Sequence, residues 1–176
     1  KPKLQELHDE RWAVETNLKD QDWVPWEAGK KNFPSAIFHA NKAEQTLVIY
    51  PLPNASGKLD FLTVAKAMLQ QIQGMTWEKC ESTKRVVKVT GAQEAVELIG
   101  ETQQESKPIR WLMRVIKAEG RYFLVLGSTF GAIDESLRKA VASVTLLPFK
   151  EQPKHEDLQS HERQLVAKML HTAGLI

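Results

Sequence analysis

The string Asn54-Ala55-Ser56-Gly57-Lys58 invites a phosphate-binding reading. A glycine followed by a lysine can aim backbone N–H groups and an ammonium at one anion. A Walker-type loop also needs a glycine five residues before the Gly-Lys pair and a hydroxyl residue after the lysine. Those positions hold Leu52 and Leu59, so the string reads as a loop entering a helix. Asn54-Ala55-Ser56 matches a glycosylation acceptor, which has meaning only in a eukaryotic secretory protein. Gly127-Ser128-Thr129-Phe130-Gly131 has the outline of a nucleophile elbow, but Thr129 stands where that motif needs a central serine. It reads as a strand-to-helix link.

The five histidines are His8, His39, His155, His161 and His171, and no two are four apart. No metal-ligand spacing results. His39 reads as a strand histidine rather than a base. Cys80 is the single cysteine. One thiol excludes an internal disulfide and a thiolate zinc site. It reads as a structural thiol. Glu94 and Glu97 fall on opposite faces of a strand and cannot act as an acid/base pair. Lys84, Arg85, Lys88, Arg110, Arg114, Lys117 and Arg121 crowd one stretch with Trp111 and Tyr122 among them. That pattern predicts either an anion-binding surface or a solvated sheet face offset by Glu97, Glu101 and Glu105, and the second is favoured. Trp23 and Trp26 flank Pro25 in an irregular segment. They are candidate partner anchors, because indoles concentrate binding energy at interfaces.

These residues sit on elements that hydrophobic periodicity defines. Residues 1–10 read as a polar lead-in. Trp12, Val14, Thr16 and Leu18 alternate as a half-buried strand. Strands are expected over 36–40 and 47–50, joined by the turn 41–44. A helix follows over 58–73, with Leu62, Ala65, Leu69 and Ile72 on one face and Gly74 as its left-handed cap. Strands are expected near 75–81, 84–90, 94–100 and 108–117, with a tight turn at Gly91-Ala92 and a longer loop over 102–108. Glu119-Gly120 turns into a strand over 122–127. A helix spans about 132–144, and 145–149 is extended. After a hinge at 150–153, a last amphipathic helix covers 155–172, and Leu158, Leu165 and Met169 are its candidate docking residues.

Short links between consecutive strands require antiparallel pairing, and amphipathic helices must bury their stripes on that sheet. The expected fold is therefore α+β: an α/β/α-type sandwich with a six- or seven-stranded antiparallel sheet, plus an appended C-terminal helix. Domain organisation follows as a lead-in over 1–10, one domain over 11–149, and a hinge with a helix over 150–176. The chain has 176 residues, 42% hydrophobic and 26% charged, with 24 Lys plus Arg against 22 Asp plus Glu. A charge this balanced argues against a nucleic-acid partner. No apolar run reaches the length of a membrane span. The opening Lys-Pro-Lys predicts a start removed by truncation or by cleavage of an export signal, and leaves room for a lipid anchor on a preceding segment.

The string Thr90-Gly91-Ala92-Gln93-Glu94-Ala95-Val96-Glu97-Leu98-Ile99-Gly100 resembles the PsbP-like superfamily. So do Gly120-Arg121-Tyr122-Phe123-Leu124-Val125-Leu126-Gly127-Ser128-Thr129 and the helix end Ala142-Ser143-Val144. This superfamily includes an extrinsic photosystem II subunit, a Ran-binding nuclear-import protein and bacterial envelope proteins and lipoproteins. The resemblance covers roughly residues 12–149 and carries no catalytic residues. It implies a non-enzymatic protein-binding or accessory module of the bacterial periplasm or envelope, with a cytoplasmic location as the alternative. A carrier of a small apolar ligand between sheet and helix is the rival reading. No cofactor and no metal are expected, and the partner is a protein or a second copy.

Overall fold

The computed structural model describes residues 4, 6–18, 21–53, 60–72, 74–148, 163, 164, 166–168 and 171. Its centre is a seven-stranded antiparallel sheet in the order β3-β4-β5-β9-β8-β7-β6. The strands are β3 (Val24–Pro25), β4 (Phe38–Lys42), β5 (Gln45–Pro53), β6 (Arg85–Val86), β7 (Glu94–Gln104), β8 (Lys107–Ala118) and β9 (Arg121–Thr129). Two hairpin-linked groups meet where β5 pairs with β9, from Gln45 opposite Thr129 to Pro53 opposite Arg121. A second sheet of three short strands joins β1 (His8–Asp9), β2 (Val14–Glu15) and β10 (Thr145–Leu146) in the order β1-β2-β10. The residues read as a polar lead-in are therefore partly docked. The Leu7 N–H donates to Thr16 Oγ1 at 3.1 Å, and the Thr16 N–H donates back to the Leu7 carbonyl at 3.1 Å.

Helices cover both faces. Alternation along a strand puts Gly127, Leu112 and Ile99 on one face and Gly100, Trp111 and Ser128 on the other. On the first face α4 (Glu135–Ala142) lays Leu137 and Val141 over Gly127. Trp12 covers Phe123 edge-on, with ring centroids 6.4 Å apart. On the second face lie α2 (Phe61–Leu69) and α3 (Trp77–Cys80), where Met75 and Cys80 close over Gly100. The short helix α1 (Glu27–Asn32) follows β3.

Helix ends carry their own signals. Asp60 caps α2 by accepting from the Thr63 N–H, and Asp134 caps α4 by accepting from the Leu137 N–H. Replacing Asp134 by Ala is expected to cost about 1 kcal/mol, and by Asn only a few tenths, in urea denaturation at pH 7. The Asp134 carboxyl is held below its ordinary value of 3.8, first by the Leu137 N–H and then by the Gln45 amide. Its contribution is full above 3.8 and is lost as pH falls through the folded value. The gap between wild type and Asp134→Ala should therefore narrow in acid. A gap that stays constant would mean the carboxylate charge contributes nothing.

Several expectations change. The segment 75–81 is not a strand. Thr76 accepts from the Lys79 N–H and starts a helical turn, and Trp77 and Cys80 are buried three residues apart on its inner side. Over four residues, period 2 and period 3.6 cannot be told apart. Of 84–90 only Arg85 and Val86 are strand, although the Val87 N–H still reaches the Ala95 carbonyl at 3.1 Å. The loop 102–108 is a two-residue turn, with φ of +50° at Glu105 and +67° at Ser106. Those angles suit the right-handed twist of a hairpin, which here overrides residue preference. The irregular segment around Pro25 contains an edge strand followed by α1. Gly74 has φ +80°, as a left-handed cap requires.

Candidate functional site

Most of the basic stretch is paired or buried within the chain rather than gathered into one anion-binding face. Glu97 is 4% exposed, and one carboxylate oxygen accepts from Arg85 at 2.8 Å while the other accepts from Arg114 at 2.9 Å. Arg110 lies 3.9 Å from Glu101 and Lys117 lies 3.7 Å from Glu94. Arg121 is buried and donates to the carbonyls of Glu119 and Leu147. Burial pushes its guanidinium down to about 10, against the pull of Glu119. The row read as solvated is thus partly interior, with Glu97 and Arg114 buried rather than offsetting one another in water.

Cys80 and His39 are kept apart. Cys80 is buried, its Sγ 3.2 Å from Met75 Sδ, and burial pushes the thiol up despite Lys79. His39 lies on β4, four strand spacings from β7, a separation on the order of 19 Å across the sheet. Its Nε2 donates to the Phe33 carbonyl at 2.7 Å, which ties β4 to the segment after α1. Among the described residues no three His, Cys, Asp or Glu side chains gather as metal ligands would.

The two candidate indoles separate. Trp23 is 4% exposed and belongs to the core, so it presents no surface for a partner in this fold. Trp26 is half-buried: its ring lies against Gly29, with no room for a β-carbon there, and stands 6.3 Å from Phe33. Phe33 in turn meets Tyr50 edge-on at 6.0 Å. A cleft of about 360 Å³ opens beside them, lined by Asn32, Phe33, Ser35, Tyr50, Gln71 and Gln164. Leu158, Leu165 and Met169 lie outside the described residues. Residues 163, 164, 166–168 and 171 are helical, and Val166 is buried in this chain's own core.

The surface that sequence reading missed lies at the β6 edge. A cleft of about 440 Å³ runs between α2 and β6–β7, with Phe61, Val86, Val89, Ala92 and Val96 as apolar lining and Lys88 and Glu94 as charged lining. Phe61 stacks on Tyr122, with centroids 6.2 Å apart and planes 15° from parallel. Tyr122 is buried, and burial first, then the Asp60 and Glu94 carboxylates, push its phenol up to about 12. It is a neutral, fixed base for the Phe61 ring. Val86 is 81% exposed, and Leu62 on α2 is 41% exposed. The signal was present in Lys84-Arg85-Val86-Val87-Lys88-Val89: cations bracketing valines mark a guarded sheet edge. Periodicity alone could not say which predicted strand would be outermost.

No family model matches the chain, and no curated protein matches it. Among solved structures, the fold is similar to that of a protein from Bacteroides thetaiotaomicron VPI-5482, with TM-score 0.55 and 11% identity. That alignment covers 81% of this chain and 48% of the other, so the chain spans about half the length of that protein. At this identity the likeness is one of fold. LpqN, a protein involved in cell envelope biogenesis of Mycobacterium tuberculosis, aligns with TM-score 0.43 and 15% identity over 77% of this chain and 83% of its own.

Proposed function

We propose that the chain is a non-enzymatic protein-binding module and that the cleft between α2 and β6 is its contact surface. One observation carries the reading: Val86 stands 81% exposed at the mouth of an apolar cleft of about 440 Å³, on a domain whose other large apolar side chains are mostly buried. Exposed apolar surface beside a formed groove marks an interaction site. The PsbP-like resemblance of residues 90–100 and 120–129 supports an accessory role in the bacterial envelope, and the compartment is proposed on that resemblance alone. Trp26 and the last helix, with Leu158, Leu165 and Met169, remain as secondary contacts in the proposal.

The test is site-specific crosslinking in the source cell, with p-benzoylphenylalanine in place of Val86 and, separately, in place of Lys30 on α1. The expected result is an adduct of defined mass from position 86 alone, which a chain ending at Pro153 also forms. Val86→Asp should weaken binding of the captured protein by about tenfold or more, since a charge would enter an apolar contact. Absence of any adduct at position 86 overturns the reading. A size near 440 Å³ also suits a small ligand. Native mass spectrometry that finds an apolar molecule retained from the cell would replace the module with a carrier.

A further inference from the structure

The edge beside the cleft has a free ladder position. Arg85 pairs with Glu97 and Val86 with Val96, and the Val87 N–H bonds to the Ala95 carbonyl. In an antiparallel ladder, residues that bond to the neighbouring strand alternate with residues that face away. Val87 bonds inward, so Val86 turns its N–H and C=O to the open side. Among the described residues β6 is the outermost strand of the seven-stranded sheet. The opposite edge, β3, carries Pro25, which has no N–H to offer. Of the two edges of the seven-stranded sheet, β6 is therefore the one suited to strand addition among the described residues, and the cleft lies along it.

Charge selects the occupant. Lys84 and Lys88 flank Val86 two residues to either side, and a partner strand that extends the ladder past the Arg85–Val86 pair would meet all three on one side. Lys84 lies over the Trp77 ring at 5.8 Å. Among the described residues Lys88 has no carboxylate partner, because Glu94 pairs with Lys117 and Glu97 with Arg85 and Arg114. A second copy adding its own β6 antiparallel about Val86 would set Lys84 directly opposite Lys88, twice. Like charges directly opposite destabilise a sheet. A strand with an apolar residue opposite Val86 and acids two residues to either side meets both lysines and the valine.

We propose that β6 is a port for strand addition, taking an extended segment of a partner protein with the pattern acidic–x–apolar–x–acidic. This inference rests on the binding-module reading and names the chemistry of its partner. Main-chain hydrogen bonds at Val86 would supply affinity, while Lys84, Lys88 and the Phe61 cleft would supply choice.

The test uses the full chain labelled with nitrogen-15 and the peptide acetyl-Thr-Glu-Thr-Ile-Thr-Glu-Thr-amide as probe, at low salt. Two controls are the peptide with lysines for both glutamates and one with an N-methylated isoleucine. With the acidic probe at about ten times its Kd, Val86 amide exchange should slow about tenfold, and neither control should reproduce this. Val86→Pro, which has no amide to exchange at that position, should instead abolish the peptide-induced shifts at Phe61 and Ala92, and it breaks no internal ladder bond because the Val86 N–H faces outward. Shifts at Phe61 and Ala92 without slowed exchange at Val86 would overturn strand addition and leave the cleft standing as a contact surface. No response to any peptide overturns the proposal, as does a concentration-dependent dimer that Val86→Pro dissolves.

Discussion

Replacing Glu97 with Ala is expected to lower stability by about 3–5 kcal/mol, because it strands a buried guanidinium. Glu97, Arg114 and Arg85 sit in one row across β7, β8 and β6, on the face that carries α4. The Glu97 side chain is 5% exposed and that of Arg114 10%, whereas that of Arg85 is 62% exposed. The Arg114 Nε donates to this carboxylate at 2.9 Å. Without it, Arg114 must either hold an unpaired charge away from water or distort the strand to reach solvent. Arg85→Ala should cost less than about 1 kcal/mol, since water can replace that largely exposed partner. The double change Glu97→Leu with Arg114→Met removes both charges and keeps volume, so it should recover most of the loss. Urea denaturation of the four proteins decides the matter. A loss below about 1 kcal/mol for Glu97→Ala would show that water already reaches this pair.

Gly91→Ala comes next, at about 3 kcal/mol. Gly91 has φ +83°, where a β-carbon costs about 1–2 kcal/mol. A methyl there would also run into the backbone carbonyl of Leu146 in β10. Backbone cannot swing aside as a side chain can, so an overpacking cost of about 1–3 kcal/mol adds to the conformational one. The contact is a seam: the Leu146 N–H donates to the Thr90 carbonyl at 2.9 Å, whereas the Leu147 N–H donates to the Ala13 carbonyl at 2.7 Å within the small sheet. The substitution should therefore loosen the three-stranded sheet from the Thr90–Gly91 turn, read as faster amide exchange at Leu146 than at Leu147. Gly74→Ala is the control. Its φ is +80°, but the nearest atom to a new methyl is Thr102 Cγ2 at 3.9 Å. It should lose only the conformational part, about 1–2 kcal/mol. Equal losses at the two glycines would show that the seam is soft.

Much of the architecture was legible because its signals are local. Alternation at Trp12, Val14, Thr16 and Leu18 marked four buried side chains, but the strand expected through them is only Val14–Glu15, because the chain turns before it with Ala13 at φ +52°. The spacing of Leu137 and Val141 gave the inner side of α4, and Gly74 gave the end of the α2 segment. The short segments failed for a physical reason. Trp77 to Cys80 is a single turn, too brief for its period to be measured, and its direction is set by the Thr76 cap and by burial over Gly100. The turn at Glu105-Ser106 failed differently, since two non-glycine residues adopt positive φ there only because eleven paired positions of β7 and β8 close the hairpin on them.

The candidate site was less legible still. Trp23 and Trp26 look equivalent around Pro25, yet one indole is core and the other only half-covered. Arg114 and Arg110 share a strand face, yet one is buried against Glu97 and the other exposed. Sequence by itself determined the class, the antiparallel pairing of consecutive strands and the inner side of α4, because each follows from neighbours within a few residues along the chain, whereas on α2 the expected inward Leu62 is exposed and Val64, Ala67 and Met68 are buried. Tertiary structure alone decided that β5 joins β9 and that β6 is left as the open edge beside α2. Strand order depends on contacts between residues about eighty positions apart, such as Thr46 with Ser128, and no local period encodes them. The cleft exists only where that order ends.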